Sequence, residues 1–341
     1  MSGSDVTREG VQGARPGRDA PTGERAGRRR RRRGRGEQPM VPEAQFSSYY
    51  GKPVLNSPTW KALDIAGYLY LGGLAGASSV LAAGAHATGR PETARVAKLG
   101  SAGAITVSLG ALVHDLGRPA RFVNMLRVFK PTSPMNIGSW LLAGYAPLTM
   151  AAAAADVAGR YRMAGAGATA GAAALGPAVA TYTAVLLSDT SVPSWHDGYR
   201  QLPFVFAGSA ATAAAGLALS CAPVAQTGPA RRLAVLGAAL ELGAFQLMKR
   251  RMGLTAEPFG QGMPHRLLRA SEVLTAGGAA LAALAGRRRG PGRGLAVAAG
   301  AALLTGSAAL RFGLFHAGVA SAEDPKYTVV PQRERLEARS R

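Results

Sequence analysis

Six side chains that can exchange protons or hydrogen bonds lie in or beside long apolar stretches of the chain. They are Asp64, Tyr68, His114, Asp115, Tyr182 and Asp189. Asp64 and Tyr68 are four residues apart, and Tyr182 and Asp189 are seven apart, so each pair shares one face of a helix. Such a set in an apolar bundle suits a quinone head, which needs hydrogen bonds to two carbonyls, groups for two-proton chemistry and lipid access for its tail. The same residues also suit a proton path or a small-solute transporter.

Three further ionisable residues fall within apolar stretches and form a possible proton path. Glu241 lies mid-segment, Glu272 opens the seventh apolar segment, and Arg311 is near the end of the eighth. Charged groups inside a membrane are costly and usually face the bundle interior, a partner or a water-filled path. We expect Arg311 to act as the counter-charge to Glu272 or Asp64.

The elements that must position these residues are apolar segments of about 20 residues, which suit a hydrocarbon core about 30 Å thick. There are eight of them, at about 62–86, 94–114, 135–156, 164–188, 202–222, 230–249, 268–286 and 294–316. They are rich in alanine and glycine, which let helix backbones approach closely in lipid. The sequence therefore predicts an all-α integral membrane protein, a compact bundle of eight transmembrane helices.

An even number of spans puts both termini on one surface, which we call face A, together with the connections after the second, fourth and sixth spans. The opposite surface is face B. Most polar residues of the spans fall toward face A, which predicts a protonatable pocket near that surface. The basic tails place face A on the cytoplasmic side of the cell membrane by the positive-inside tendency.

Two polar tails flank the predicted membrane domain, which covers residues 46–320. The N-terminal tail, 1–45, contains the run RRRRRRGRG at 28–36, and the C-terminal tail covers 321–341. The N-terminal tail is rich in Gly, Pro and Arg and precedes a membrane domain, so we expect it to be disordered and held at anionic lipid. No nucleic-acid partner is expected.

The cysteine and histidine content bears on metal chemistry. A single cysteine, Cys221, cannot hold an iron–sulfur cluster, which needs about four thiolates. The five histidines lie near predicted helix ends or in loops, so we expect neither haem nor another bound metal. Any metal centres for electron transfer are expected to belong to partner subunits.

The connection between the second and third spans is unusually basic. Its cations are Arg118, Arg121, Arg127 and Lys130. Residues 121–130, RFVNMLRVFK, predict a short amphipathic helix that lies along the membrane interface. Its basic side would dock a partner subunit, or alternatively contact lipid phosphates.

Three stretches resemble the NrfD/polysulfide reductase membrane-subunit family. They are HDLGRPARFVNMLRVFKPTSPMNIGSW at 114–140, YLYLGGLAGAS at 68–78 and YTAVLLSDTSVPSW at 182–195. The resemblance covers about residues 45–320, and eight spans match the short form of the family. Ala184 stands where the family pattern has glycine.

The resemblance implies a membrane anchor and quinone-reactive subunit of a multi-subunit oxidoreductase. Such subunits exchange electrons between a four-cluster ferredoxin-like iron–sulfur subunit and menaquinone or another quinone, without haem of their own. A molybdopterin catalytic subunit, for example of the formate dehydrogenase or polysulfide reductase type, completes the complex. Tyr182 matches the tyrosine of the family's quinone pocket. A transporter or proton channel without a redox partner, and a passive membrane anchor, remain as alternatives.

Overall fold

The computed structural model describes residues 5–7, 10–12, 54–115, 124–285 and 292–339, and eight long helices dominate them. These helices are α1 (Ala62–Ala87), α2 (Pro91–Asp115), α3 (Pro134–Ala158), α4 (Arg162–Ser188), α5 (Leu202–Cys221), α6 (Gly228–Met252), α7 (Gly262–Ala285) and α8 (Gly292–Glu323). The smaller elements are a C-terminal helix α9 (Lys326–Arg339), a helical turn (Pro193–His196), two 3₁₀ helices (Val224–Gln226 and Gly253–Gly260) and the antiparallel strands β1 (Asp5–Thr7) and β2 (Gly10–Gln12).

Each of the eight long helices coincides with one predicted apolar segment. Among the described residues, seven of them are long and apolar enough to cross a membrane, and α6 is not in that set. The mid-helix Glu241 and the cationic run Lys249–Arg251 lower its apolarity. The protein is therefore a multi-pass, predominantly helical membrane protein, and the prediction of eight spans is not confirmed.

The helices of the bundle begin and end at recognisable local signals. Ser133 caps α3 by accepting a hydrogen bond from the Asn136 backbone N–H at 3.5 Å, and Pro134 occupies the first turn. Proline suits that position because its missing N–H would be unsatisfied there. Gly159, with φ of 63°, ends α3 in the left-handed conformation that glycine adopts without strain.

Helix α1 lies at the centre of the packing, against α2, α4 and α5, while α3 packs on α4 and α5 on α6. Small residues make the closest approaches possible. A Cβ on Gly76 of α1 would overlap the backbone oxygen of Gly176 in α4, and a Cβ on Gly208 of α5 would overlap the backbone of Glu241 in α6. Such close contact between helix backbones provides the van der Waals attraction that holds transmembrane helices together in lipid.

Alanine also fills the buried core that joins α1, α2 and the four helices α5–α8. The members of this cluster include Ala82, Ala97, Ala215, Ala234, Ala282, Ala299 and Leu303. Methyl groups let several helices meet with little space between them. The result is a tightly packed cluster at which six helices meet.

By internal contacts the chain divides into two units. One unit is Thr59–Val319, and the other combines Met1–Pro58 with Ala320–Arg341. Most of the predicted N-terminal tail, including the run at 28–36, lies outside the described residues. The predicted C-terminal tail begins in the last residues of α8 and contains α9.

Candidate functional site

A cavity of about 360 Å³ opens where α1 begins, α2 ends, α3 begins and α4 ends, which is on face A. Its apolar lining is mostly leucine, isoleucine and methionine. The polar lining residues are Thr59, Tyr68, Asp115, Ser139, Tyr182 and Thr183. A cavity of this size, mostly apolar with a few convergent polar groups, is typical of a small-molecule site.

Tyr182 has the most informative environment of the lining residues. Its ring lies against Gly138 of α3, where any Cβ would overlap the ring. Its hydroxyl oxygen is buried and has no hydrogen-bond partner among the described residues, and the same holds for the hydroxyl of the adjacent Thr183. A buried polar group without a partner is costly, so these two hydroxyls are polar groups beside the cavity whose hydrogen-bonding capacity is unused.

The predicted pocket residues do not all line the cavity. Tyr68, Asp115 and Tyr182 do so. Asp64 and His114 are within hydrogen-bonding distance, with His114 Nδ1 3.0 Å from Asp64 Oδ2, and they are next along the chain to the lining residues Ile65 and Asp115. Asp64 is 13% exposed, whereas His114 is 67% exposed and so faces the surroundings on face A.

Asp189 is separate from the cavity. It is the residue at which α4 ends, its side chain is exposed, and it is absent from the lining. The seven-residue spacing predicts that Asp189 shares a helix face with Tyr182. The helix ends at Ser188, however, so Asp189 does not follow the helical geometry that would direct it to the cavity.

A stacked pair of tryptophans lies at one wall of the cavity, with Trp60 in the lining and Trp195 against it, and sequence reasoning missed both. Trp60 lines the cavity and stacks on Trp195, with ring centroids 5.9 Å apart. The indole N–H of Trp195 donates to the Leu314 carbonyl of α8 at 2.8 Å. Trp195 ends one of the family-like stretches, and this position was the available signal.

Asn136 links the connection between α2 and α3 to the first turn of α3 by hydrogen bonds. Its side chain donates to the carbonyls of Met125 and Val128 and accepts from the backbone N–H of Lys130. Met125 in turn lines the cavity. The connection is therefore part of the cavity wall.

The predicted amphipathic helix 121–130 is not confirmed. Of its residues, 124–130 are described, and beyond Asn124 they form turns and bends. Arg127 and Lys130 are exposed and make no ion pair with the described residues. Arg118 and Arg121 lie outside the described residues.

Glu241 of α6 is buried in a separate polar site. Its carboxylate accepts hydrogen bonds from the hydroxyls of Thr212 at 3.2 Å, Ser271 at 3.4 Å and Thr275 at 3.0 Å. These hydroxyls come from α5 and α7, so Glu241 connects three helices. Glu241 is only 1% exposed, so these three hydroxyls take the place of water as hydrogen-bond donors to its carboxylate.

Arg311 of α8 is also 1% exposed. Its guanidinium lies 3.6 Å from the Phe206 ring centroid and donates from one terminal nitrogen to the Phe206 carbonyl at 3.1 Å. The other two nitrogens have no hydrogen-bond partner in the described part of the chain. The cation is attracted electrostatically to the carboxylate of Glu241.

The expectation that Arg311 pairs with Glu272 or Asp64 is wrong. Glu272 is a mostly buried residue of α7, where Lys249 of α6 contacts it at 2.8 Å and Arg269 of α7 at 2.9 Å. Asp64 pairs with His114. Both carboxylates have cations nearer in the fold than Arg311.

A third polar group lies toward face B, where the sequence had indicated little. Lys98 of α2 is 6% exposed and contacts Asp156 of α3 at 2.8 Å. Further into the bundle, the Tyr145 hydroxyl lies 2.5 Å from the Ser79 hydroxyl and 2.9 Å from that of Ser101. The signal available was the single lysine within an otherwise apolar segment.

The described residues contain no group of three or more His, Cys, Asp or Glu side chains that could hold a metal ion.

Comparison with known proteins bears directly on the arrangement around the cavity. A family model described as "Polysulphide reductase, NrfD" matches residues 54–252. The chain belongs to the NrfD family. The match covers more than half of the chain and includes α1–α6, the cavity and Glu241, although it is shorter than the predicted resemblance over 45–320. A comparison with curated proteins gives no match.

Family membership confirms the coarse functional prediction. NrfD proteins are membrane subunits of quinone-linked oxidoreductases, and they generally associate with iron–sulfur and molybdopterin subunits. The cavity lined by Tyr182 lies entirely within the matched region.

Proposed function

We propose that this NrfD-family chain is the membrane anchor and quinone-reactive subunit of a multi-subunit oxidoreductase. It passes electrons between a four-cluster iron–sulfur subunit and menaquinone or another quinone, and a molybdopterin subunit carries out the substrate chemistry. The observation that supports this most strongly is the face A cavity, in which the buried hydroxyl of Tyr182 has no partner among the described residues.

The residues of the cavity fit a quinone head. Tyr182 and Thr183 present hydroxyls that can donate to a carbonyl oxygen, and the leucine-rich lining suits an apolar ring. The volume of about 360 Å³ falls within the roughly 300–1,000 Å³ typical of such sites. When bound, a quinone supplies a carrier of two electrons and two protons.

Proton transfer to and from the cavity is assigned to the acidic groups at its mouth. Asp115 lines the cavity at the end of α2. The neighbouring His114 is 67% exposed and pairs with Asp64, so this pair connects Asp115 with the water on face A. Histidine suits this role because its two ring nitrogens can accept and donate protons.

The iron–sulfur subunit is proposed to dock on the connection between α2 and α3. Arg127 and Lys130 are exposed there and unpaired among the described residues, and Arg118 and Arg121 belong to the same basic stretch. Met125 joins this connection to the cavity wall. A subunit docked here would therefore lie next to the cavity.

Glu241 and Arg311 are proposed as a second proton-handling site, with Glu272 at its face A entrance. Support comes from the burial of both charges and from the hydroxyls that surround Glu241. Intramembrane ionisable residues of this kind commonly mark ion or proton pathways.

We propose that α6 completes eight crossings of the cell membrane and leaves both termini on the cytoplasmic side. Its 25 residues span about 37 Å at 1.5 Å each, which exceeds the hydrocarbon thickness. Glu241 faces other helices, and the terminal cations Arg232 and Arg250 can extend to the two interfaces.

The quinone assignment is tested by titrating the full-length chain, purified in mild detergent, with menadione. Trp60 and Trp195 lie at the cavity, so binding should quench tryptophan fluorescence with saturation. We expect Tyr182→Phe to weaken binding about tenfold, because one hydrogen bond contributes about 1–1.5 kcal/mol. Tyr161→Phe is the matched control, because Tyr161 is 76% exposed at the opposite end of α4.

The possible outcomes are distinct. Absence of saturable quenching in the wild-type chain would favour a passive anchor. Saturable binding that Tyr182→Phe leaves unchanged would retain a quinone-binding subunit but move its site away from this cavity.

A further inference from the structure

A second groove, of about 500 Å³, runs between α5 and α6 on the outside of the bundle. Arg200 and Arg251 stand at its face A end, and Phe204, Leu240 and Leu247 form its sides. From Arg251 to the level of the lining residue Ala239 the groove descends about 18 Å along the helix axis, at 1.5 Å per residue. It therefore combines a cationic end at the interface with an apolar channel that reaches beyond the middle of the membrane.

The two arginines at the groove are available to an anion. Neither forms an ion pair with any carboxylate in the part of the chain that the structure describes. Arg200 donates from Nε to the Tyr199 hydroxyl at 2.8 Å and lies 5.4 Å from that ring's centroid. This contact orients the guanidinium and leaves its two terminal amino groups for another acceptor.

The apolar part of the groove is open along its length. Phe204 is 58% exposed, and Leu240 and Leu247 are 42% and 43% exposed. A Cβ on Gly243 would meet nothing within 4 Å, so open space lies over this residue. Because glycine has no side chain, the groove is deeper at this position. Such a shape accommodates a flexible hydrocarbon chain.

We propose that this groove binds an anionic phospholipid, with its phosphate between Arg200 and Arg251 and an acyl chain along Phe204, Gly243 and Leu247. Arginine forms two parallel hydrogen bonds to phosphate oxygens, and basic sites between transmembrane helices favour acidic lipids. Charge complementarity distinguishes this ligand from a zwitterionic lipid, whose ammonium group would face the same two cations. The proposal does not depend on the quinone assignment.

The proposal is tested with the full-length chain after removal of bound lipid by detergent exchange. Binding of phosphatidylglycerol is followed by native mass spectrometry, in parallel with phosphatidylcholine of the same acyl chains. We expect phosphatidylglycerol to bind at least about tenfold more tightly. Arg200→Gln and Arg251→Gln should each weaken it about fivefold, and the double variant about 25-fold.

Two further variants separate the head-group and acyl contributions. Gly243→Leu fills the groove and should weaken both lipids, while Arg232→Gln, at the other end of α6, should change neither. Equal binding of the two lipids, or wild-type binding by the double arginine variant, would overturn the proposal. It would also be overturned if glycerol phosphate displaced the lipid at equal concentration, because the site would then recognise a free anion.

Discussion

Replacing Gly138 by alanine should displace the Tyr182 ring without altering any polar group. The added Cβ would overlap Cε2 of the ring and would lie 2.9 Å from Cδ2 and 3.3 Å from Cζ. Favourable carbon–carbon contacts lie at about 3.5–4.0 Å, so the ring must move by roughly 1 Å. The Tyr182 hydroxyl then moves with the ring from its place at the cavity lining.

The magnitude follows from two separate effects. Overpacking a tight contact costs about 1–3 kcal/mol of stability, and the lower part of that range applies because a side chain rather than backbone must yield. Loss of the hydroxyl's hydrogen bond to a ligand should reduce menadione affinity about tenfold, as for Tyr182→Phe. Gly138→Ala and Tyr182→Phe remove the same hydrogen bond. We therefore expect the variant that carries both substitutions to bind menadione no more weakly than Tyr182→Phe alone.

Gly144→Ala is the matched control, because it makes the same change in the same helix. A Cβ at Gly144 would lie 3.7 Å from Leu175 Cδ1, which is an ordinary contact. Fluorescence titration with menadione and thermal unfolding in detergent measure the two effects. Equal affinities for Gly138→Ala and Gly144→Ala would refute the assignment of Tyr182 to the ligand site.

Two other polar sites allow matched comparisons. Lys98→Met should lower the free energy of unfolding by about 3 kcal/mol, because it leaves Asp156 without its partner at 2.8 Å. Arg95→Met should lower it by less than about 1 kcal/mol, because Arg95 is 52% exposed and lies 3.9 Å from Asp156. Equal losses in the two variants, measured by thermal unfolding, would contradict this reasoning. Glu241→Gln should slow the proton uptake that accompanies quinone reduction by the assembled complex in proteoliposomes, read by an entrapped pH dye, while Glu92→Gln, at an exposed residue, should not. Identical uptake in both variants would exclude Glu241 from the proton path.

The positions of the helices were predictable because the thickness of the hydrocarbon core constrains helix length. The fifth segment, for example, was predicted at 202–222 and is the helix Leu202–Cys221. Polar residues at one end of adjacent spans also had to meet near one surface. This geometric necessity brought Tyr68, Asp115 and Tyr182 to one cavity.

Specific partners were not predictable in the same way. Arg311 could have met any acidic residue near face A, and only the packing of α5 against α8 places it over Phe206. Lys98 resembles a lysine that extends to the interface, and its burial beside Asp156 depends on the rotation of α2 and α3 about their axes. Helical periodicity specifies which residues share a face but not which helix that face meets.

The alanine-rich interior described above also has an entropic consequence. Alanine and glycine have no side-chain rotamers to lose on folding, whereas a buried leucine loses about 0.5–1 kcal/mol of such freedom. The cluster around Ala215, Ala234 and Ala299 therefore becomes ordered at little side-chain entropic cost. It also has few alternative arrangements into which it could relax. Conformational freedom is left to the larger side chains, so Tyr182 and Met125 at the cavity can adjust to a ligand while the helices around them keep their places.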